Sequence, residues 1–331
     1  MNHITPSSAS PIDPGLLTQI RQRVADVVVG QHVVVERILI ALLTGGHLLL
    51  EGVPGLAKTL LVNTVANTIG MRFGRVQFTI DMLPSDVLGS EVLDVSTNSF
   101  RVHKGPIFTN LLLADEINRA APKVQGCLLE AMQERKVTLG KETFTLPAPF
   151  LVIATQNPIE QAGTFELPEA QLDRFMICHR LAYPSQEEEK DIYRRQLNMG
   201  LKRHAEGGAV PKSAFDLLET DPVCSIEDLV GMMEKVQEVH VSETFTEHVV
   251  RMVRRTREHP DLEVGCSPRA GLSLVQAARA RAFLHDRDYV VPEDLFSLAE
   301  DIVLHRVRLR YEAVARGVQI RDTLEAILQE V

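Results

Sequence analysis

Short, almost continuous apolar runs alternate with helical stretches through the first half of the chain. The predicted strands are 47–50, 75–80, 110–116, 150–157 and 175–181. Helical spacing is clear in 34–43, where Val34, Ile38 and Leu42 share one face, and a further helix is predicted from Lys58 to about residue 69. Strands that are apolar on both sides and separated by helices are typical of a covered parallel sheet. We therefore predict an α/β fold for residues 16–184.

Two stretches interrupt this alternation, and each has the pattern of a β-hairpin. The first spans 91–104 around the turn-rich 96-STNS-99, and the second spans 136–146 around 140-GKE-142. Taken alone, either stretch could equally be an ordinary surface loop.

The texture of the sequence changes after Pro184. A charged helical run, 186–197, is followed by the glycine-rich segment 200–212. Amphipathic runs follow at 225–239, 243–258, 268–285 and 292–310. We expect a linker with one helix over 185–224 and a smaller all-helical domain over 225–331.

Composition is that of an ordinary globular protein, with 45% hydrophobic and 24% charged residues. Residues 1–15 lack the features of a secretory signal, and we expect a disordered leader and a cytoplasmic location. No apolar run approaches the ~18 residues that cross a bilayer, so membrane insertion is not expected. The four cysteines are scattered without a C-x-x-C pair, which argues against a disulfide framework or a zinc site.

The stretch 51-EGVPGLAKTL-60 joins a predicted strand to a predicted helix. It nearly matches the phosphate loop G-x-x-x-x-G-K-[ST], in which backbone N–H groups surround phosphate oxygens. Lys58 would neutralise the β- and γ-phosphates, and the Thr59 hydroxyl would hold Mg²⁺. Ala57 replaces the last glycine, which is tolerable if its backbone stays in a region open to other residues. A plain strand–turn–helix junction with a surface lysine is the alternative.

Polar residues end two later predicted strands. Asp115 and Glu116 close 111-LLLADE-116, and Asn157 closes 151-LVIATQN-157. At the carboxyl edge of a parallel sheet they would face the ligand crevice. Asp115 suits a direct or water-mediated contact to Mg²⁺, Glu116 suits polarising the attacking water, and Asn157 suits the γ-phosphate or that water. Each could alone be the start of a turn or helix, but the phosphate loop upstream favours the functional interpretation.

Two arginines are candidates for contact with an anion. Arg174 directly precedes the last predicted strand, and a surface ion pair with Asp173 is the alternative. Arg269 lies in the first turn of a helix with Ser267 as N-cap and Pro268 as first residue. A cation there opposes the helix dipole, which makes sense if it meets a nucleotide phosphate. A mildly mismatched surface arginine is the other interpretation.

Together and in this order, these motifs resemble those of AAA+ ATPases, and more narrowly of the MoxR family. The most specific stretches are 52-GVPGLAKT-59, 113-LADEINRAAPKVQGCLLEAMQE-134, 153-IATQNPIEQAGTFELPEAQLDRF-175 and 266-CSPRAGLSL-274. MoxR loops resemble G-x-P-G-x-A-K-T, so Ala57 fits the family. The resemblance covers roughly residues 16–310 and implies a P-loop core, a parallel sheet sandwiched by helices, followed by a helical lid.

The resemblance also implies roles for single residues. Walker A would comprise Lys58 and Thr59, and Walker B Asp115 and Glu116. Sensor 1 would be Asn157, sensor 2 Arg269 and the arginine finger Arg174, with Arg119 a second candidate for the inter-subunit surface. The residues expected to bind ATP are Gly30, Gln31, Gly52, Val53, Pro54, Gly55, Leu56, Ala57, Lys58, Thr59, Leu60, Asp115, Asn157 and Arg269. Whether Arg269 acts in its own subunit or on a neighbour stays open, and the hairpins would be the helix-2 and pre-sensor-1 inserts.

An arginine finger makes hydrolysis depend on assembly, and the resemblance implies a ring, a hexamer. The implied activity is Mg²⁺-dependent ATP hydrolysis in a chaperone-like remodeller. Its expected partner carries a von Willebrand factor A domain, in maturation of protein complexes or metal-centre insertion. By analogy, hydrolysis would toggle the lid against the core and move the hairpins near the ring axis.

Two other functions compete with this one. A nucleic-acid motor is suggested by Lys136 and Lys141 in the second hairpin, but the net charge of −9 opposes it. The arginine clusters 251–257 and 306–310 are interpreted as solvated or inter-subunit faces. A nucleotide-binding switch without turnover is the third option, and Glu116 argues against it.

Overall fold

The computed structural model describes residues 15–53, 55–96, 98–158, 163–203, 207–218 and 221–330. Its strands are β1 Leu48–Glu51, β2 Phe73–Gln77, β3 Gly89–Asp94, β4 Ser99–Lys104, β5 Leu111–Asp115, β6 Lys136–Leu139, β7 Glu142–Thr145, β8 Leu151–Gln156, β9 Ile177–Arg180, β10 Leu201–Arg203, β11 Ala209–Pro211, β12 Leu262–Val264 and β13 Arg308–Leu309. Its α-helices are α1 Leu16–Val27, α2 His32–Thr44, α3 Lys58–Thr68, α4 Pro84–Leu88, α5 Pro122–Glu134, α6 Glu169–Leu172, α7 Gln186–Asn198, α8 Ile226–Glu238, α9 Glu243–Glu258, α10 Pro268–Leu284, α11 Pro292–Val303, α12 Tyr311–Ala315 and α13 Ile320–Gln329. Short 3₁₀ helices cover Ile117–Arg119, Ala214–Leu217 and Leu304–Arg306.

A five-stranded sheet organises the first half, with the strand order β2-β5-β8-β1-β9 and parallel pairing throughout. The predicted α/β core is confirmed. The second strand was predicted over 75–80, but it ends at Gln77. The Phe78 N–H makes one last hydrogen bond to the neighbouring strand, to the Asp115 carbonyl oxygen at 2.9 Å. The Thr79 hydroxyl then bonds Asp81 at 2.6 Å in a local turn.

Alternation along the strands sends side chains to two separate hydrophobic clusters. Leu48 and Leu50 face α1, α2 and α3, whereas Leu49 faces the opposite side, where α5 packs. The three leucines are fully buried, so the sheet is covered on both faces as the apolar runs predicted. The carboxyl ends of β1, β5 and β8 consequently open at a single edge of the sheet.

Both predicted hairpins are present, as β3–β4 and β6–β7. At the base of the first, Gly89 has φ +101°, and a Cβ there would stand 2.2 Å from the His103 carbonyl oxygen. A Cβ on Gly105 would stand 2.4 Å from the Val87 carbonyl oxygen, so two backbone segments cross where only glycine fits. The Lys104 ammonium lies 4.8 Å from the ring centre of Phe144, which brings the two hairpins into contact.

The linker after Pro184 contains the predicted helix, α7, whose N-cap Ser185 accepts a hydrogen bond from the Glu188 N–H. The glycine-rich segment holds a further hairpin, β10–β11, that the sequence pattern did not reveal. Its strands have three residues each, too few for an alternation to register. The predicted leader falls, apart from Gly15, outside the described residues, as does Val331.

The lid is helical as predicted, with α8, α9 and α10 at the expected places. The helix predicted over 292–310 instead ends at Val303, and β13 then pairs with β12, which adds a two-stranded sheet to the lid. Arg306 explains the break. Its guanidinium is buried and donates to the Asp173 carboxylate at 2.7 Å and to the Phe175 carbonyl at 2.7 Å. The interpretation of Arg306 as part of a solvated or inter-subunit face was therefore wrong.

The lid and the sheet share one hydrophobic core through α2. This helix buries nine of its 13 residues, and one hydrophobic cluster joins the eight apolar ones to α8, α10 and α11 of the lid. A buried ion pair crosses the same contact, with Arg37 Nε 2.6 Å from Asp301. A swing of the lid as a separate body would expose this core and break the pair. No helix among the described residues is both long and apolar enough to span a bilayer.

Two buried histidines make stability depend on pH. Burial lowers the pKa of His47 to about 4, and His47 Nδ1 accepts a hydrogen bond from Val152 N–H at 3.0 Å. Burial also holds the pKa of His305 well below its usual value. Both remain neutral in the fold, whereas an unfolded histidine takes up a proton near pH 6.5. Their contribution is complete above that pH and is lost as pH falls towards 4.

We expect the free energy of unfolding to fall between pH 6.5 and 4.5, by up to about 1.4 kcal/mol per pH unit for each histidine. Denaturant unfolding across this range measures the slope. His47→Gln should make it shallower by about one proton, while His103→Gln, at an exposed site, should leave it unchanged. Equal slopes in all three proteins would contradict the assignment.

Candidate nucleotide-binding site

The loop between β1 and α3 lies at the carboxyl edge of the sheet, as the motif requires. Lys58 begins α3 and its ammonium donates to the Gly52 carbonyl at 2.8 Å. Burial lowers the pKa of Lys58, and the nearby carboxylates of Asp115 and Glu116 partly offset that effect. The lysine is thus already placed among opposite charges. Pro54 lies outside the described residues.

Ala57 does not keep an ordinary backbone, contrary to the expectation from its side chain. It takes the left-handed conformation, with φ 52° and ψ 26°, directly before α3. For a residue with a Cβ this costs roughly 1–2 kcal/mol. Such strain persists where the surroundings fix the backbone, and it concentrates at functional sites. The loop therefore keeps the shape that glycine would give it, in spite of the extra methyl group.

A cavity of about 490 Å³ collects most of the predicted chemistry. It is lined by Gly55, Leu56, Ala57, Lys58, Thr59, Leu60, Arg75, Gln77, Asp115, Glu116, Asn157 and Phe215. The residues predicted to form Walker A, Walker B and sensor 1 thus meet in one place. The strand order explains this, because β8 lies between β1 and β5 and all three end at the same edge.

Asp115 is buried and both of its carboxylate oxygens accept hydrogen bonds. Oδ2 lies 2.7 Å from Arg75 Nη2, and Oδ1 accepts from the Thr155 hydroxyl at 2.6 Å. Arg75 comes from β2, which pairs with β5 in register, so the arginine reaches the neighbouring strand's carboxylate. Asp115 therefore stands as a charged group with a fixed orientation.

Glu116 leaves the strand in a left-handed conformation, with φ 57° and ψ 50°. Its carboxylate pairs with Arg119 Nε at 2.8 Å, within the same short 3₁₀ turn. Arg119, the second candidate for the inter-subunit surface, thus contacts Glu116 of its own subunit. The pair is partly exposed, so the contact is weak enough to exchange.

The oxygens of this cavity suit magnesium. A threonine hydroxyl and one aspartate match the few oxygen ligands that Mg²⁺ takes from a protein when phosphates supply the rest. Thr59 and Asp115 line the same cavity, and the described residues contain no cluster of three or more His, Cys, Asp or Glu that would form an all-protein metal cage. The donor set fits a metal that arrives with a nucleotide.

A second, more apolar cavity of about 200 Å³ adjoins the first across the phosphate loop. It is lined by Val27, Val28, Val29, Gln31, Gly55, Leu56, Ala57, Leu60, Pro184, Ile192, Arg195, Gln196, Met199 and Ala214. Its apolar walls suit a purine ring. Gln31, which was predicted to bind ATP, is one of the lining residues. Gly30 lies beside the Glu188 side chain, where a Cβ would come within 2.3 Å of a carboxylate oxygen.

The two predicted arginines contact different partners, away from the walls of the two cavities. Arg269 Nη1 stands 3.4 Å from Asp173, and Arg174 Nη1 donates to the Leu129 carbonyl at 3.0 Å. Neither is among the described residues that line the two cavities. Ser267 precedes α10 as predicted, but its hydroxyl makes no capping bond.

Four residues of the site escaped the sequence analysis: Arg75, Gln77, Thr155 and Phe215. Arg75 and Gln77 sit in a predicted strand, where two polar residues beside a buried neighbour were the available signal. Thr155 is two positions before Asn157 on β8 and looks like any β-branched strand residue. Phe215 follows the linker hairpin, and nothing in its surroundings along the chain indicates contact with the site.

Comparison with known proteins identifies the two halves. The sequence model of the ATPase family associated with various cellular activities matches residues 47–177, and that of the AAA lid domain matches residues 254–330. A solved structure from Cytophaga hutchinsonii, of a protein with a proposed ATPase function, superposes with a TM-score of 0.85 at 42% identity. It covers 96% of this chain and 94% of its own.

Curated relatives extend over nearly the whole chain. The uncharacterized protein YeaC of Bacillus subtilis is 43% identical over 96% of this chain and 93% of its own. Chaperone MoxR1 of Mycobacterium tuberculosis is 42% identical over 92% of this chain and 79% of its own length. Protein MoxR of Methylorubrum extorquens is 30% identical over 100% of this chain and 99% of its own length. The chain belongs to the MoxR family of AAA+ ATPases.

Proposed function

We propose that this protein couples Mg²⁺-dependent hydrolysis of ATP to the remodelling of protein complexes, as a ring of six subunits. The observation that carries the proposal is the cavity at the sheet edge. A phosphate-loop lysine, a hydroxyl, two adjacent carboxylates and an asparagine line it together. That set is what phosphoryl transfer to water requires from one subunit.

In this mechanism each residue has one task. The loop N–H groups and the Lys58 ammonium bind the β- and γ-phosphates, with Thr59 and Asp115 as the metal-holding pair. When bound, magnesium would neutralise charge that develops on the phosphate oxygens. Glu116 orients and polarises the attacking water once its carboxylate exchanges Arg119 for that water. Asn157, across the cavity, aligns the γ-phosphate.

Arg174 and Arg269 act on the ATP of a neighbouring subunit in this proposal. Their position outside the two cavities of their own chain supports the assignment, with Arg269 paired to Asp173 and Arg174 bonded to the Leu129 carbonyl. Arg306 of the lid donates to Asp173, the carboxylate that pairs with Arg269, so the lid helps to fix the position of Arg269. Since α2 fuses lid and core, we assign the power stroke to rotation between subunits and not to a lid swinging within one.

The partner in this proposal carries a von Willebrand factor A domain, and the process is complex maturation or metal-centre insertion in the cytoplasm. Support comes from the family and from the relative named as a chaperone. A nucleic-acid motor finds less support. Lys136 and Lys141 are exposed, but Glu134 and Glu142 flank them and the net charge is −9.

Glu116→Gln keeps the shape of the side chain but removes the base. We expect ATP turnover to fall by about 10²- to 10⁴-fold while a fluorescent ATP analogue still binds. Glu130→Gln, on the exposed side of α5, should leave turnover unchanged. Full activity of Glu116→Gln would remove Glu116 from the mechanism, and inactivity of the wild type would reject the ATPase assignment.

The same variant, loaded with ATP, serves to capture the client. We expect it to retain a protein with a von Willebrand factor A domain from native lysate, in material that nuclease leaves intact. Retention of DNA or RNA that salt strips away would favour the motor instead.

Mixing two inactive variants tests catalysis across the subunit boundary. Lys58→Met lacks a competent phosphate loop but has Arg174, whereas Arg174→Ala has the loop but lacks the finger. An equal mixture should regain activity at about a quarter of the wild-type level, because that share of random contacts pairs an intact loop with an intact finger. A mixture of Lys58→Met with Arg269→Ala tests Arg269 in the same way, and the Arg269 side chain is exposed. Mixtures as inactive as their components would show that the arginines act within their own subunit.

A further inference from the structure

The Thr155 hydroxyl stands between the two carboxylate residues of Walker B. Thr155 is on β8 and is fully buried. Its Oγ1 donates to Asp115 Oδ1 at 2.6 Å and accepts from the Glu116 backbone N–H at 2.9 Å. One side chain on the central strand thus touches both residues of the neighbouring strand end.

The hydrogen bond from the Glu116 N–H to Thr155 satisfies a backbone donor. Glu116 has φ 57°, a conformation that a residue with a Cβ rarely adopts and that persists only where its surroundings fix it. Strand β5 ends at Asp115, so the Glu116 N–H has left the strand pairing and needs another acceptor. The threonine hydroxyl is that acceptor.

The bond to Asp115 then has a fixed direction. A backbone N–H can only donate and a carboxylate oxygen accepts, so the single proton of the hydroxyl is given to Asp115. Oδ1 is therefore committed to Thr155, and Oδ2 faces Arg75 on the other side. The hydroxyl thus sets the orientation of the Asp115 carboxylate. Through its bond to the backbone N–H it also sets the direction in which the Glu116 backbone leaves the strand.

We propose that Thr155 is a positioning residue for hydrolysis, which aims Glu116 at the attacking water and Asp115 at the metal position without touching ATP. The inference rests on the proposed ATPase function. Asn157 lies two residues further along the chain, directly after the last residue of the strand, so Thr155 and the sensor 1 residue are joined by a short backbone segment. Contact at Asn157 is thereby linked to the geometry of Glu116.

Thr155 could instead serve only to fill the core. Valine tests this, because it has the same shape without the hydroxyl. Serine keeps the hydroxyl and loses the methyl group. A packing role predicts that serine is the worse substitution, and a positioning role predicts that valine is.

For Thr155→Val we expect kcat to fall about 10- to 100-fold, the effect of a small misplacement of a catalytic group. The affinity for a fluorescent ATP analogue should stay within about threefold, since the hydroxyl does not bind phosphate. Thr155→Ser should recover kcat to within about threefold of the wild type. Unchanged turnover in Thr155→Val, or a serine variant as slow as valine, would overturn the proposal.

Hydrogen–deuterium exchange gives a readout that needs no turnover. The amide of Glu116 should exchange at least about tenfold faster in Thr155→Val than in the wild type, and near the wild-type rate in Thr155→Ser. Equal rates in all three proteins would reject the hydrogen bond whatever the enzyme's activity. If exchange follows the prediction but the wild type hydrolyses no ATP, the proposed function fails while the contact stands, and a positioning role in hydrolysis falls with that function.

Discussion

Burial of helix α2 is the constraint on which both halves of this molecule depend. Its apolar residues point to the sheet on one side and to α8, α10 and α11 on the other, so they complete two packing surfaces at once. Arg37 extends the contact with an ion pair to Asp301, which also accepts from His179 on β9. Breaking a buried pair of this kind costs about 3–5 kcal/mol. Sheet and lid therefore share one packed core, and Arg306 extends the contact between them to Asp173, which also pairs with Arg269.

The chemistry lies where the backbone is most constrained. Gln31, Ala57 and Glu116 all take left-handed conformations without being glycine, and each lies at the edge of a cavity. Gln31 and Ala57 directly precede a helix, and Glu116 directly follows a strand. The surrounding packing holds that geometry in place. A site built in this way is ready before ligand arrives, which reduces the cost of ordering it during binding.

Much of this architecture could be predicted from local pattern. Three of the five core strands, β1, β5 and β8, are nearly continuous apolar runs. The phosphate-loop motif and the Asp115–Glu116 pair come at the ends of such runs, so the sequence indicated both the fold and the chemistry. Properties that arise between distant segments were not. The left-handed backbone of Ala57, the burial of Arg306 and the hydroxyl of Thr155 depend on neighbours far along the chain. The three-residue strands of the linker were too short to leave a periodic signal.

The crossing of two backbone segments at Gly89 and Gly105, at the base of the first hairpin, limits which substitutions the hairpin tolerates. The atoms that a Cβ on Gly89 or Gly105 would strike are backbone atoms, so no substitution elsewhere makes room for one. The tip between them carries exposed side chains such as Val95 and Phe100, which nothing comparable restrains. Side chains at the tip can thus be exchanged without disturbing the base of the hairpin, whereas any side chain at Gly89 or Gly105 would push its two backbone segments apart.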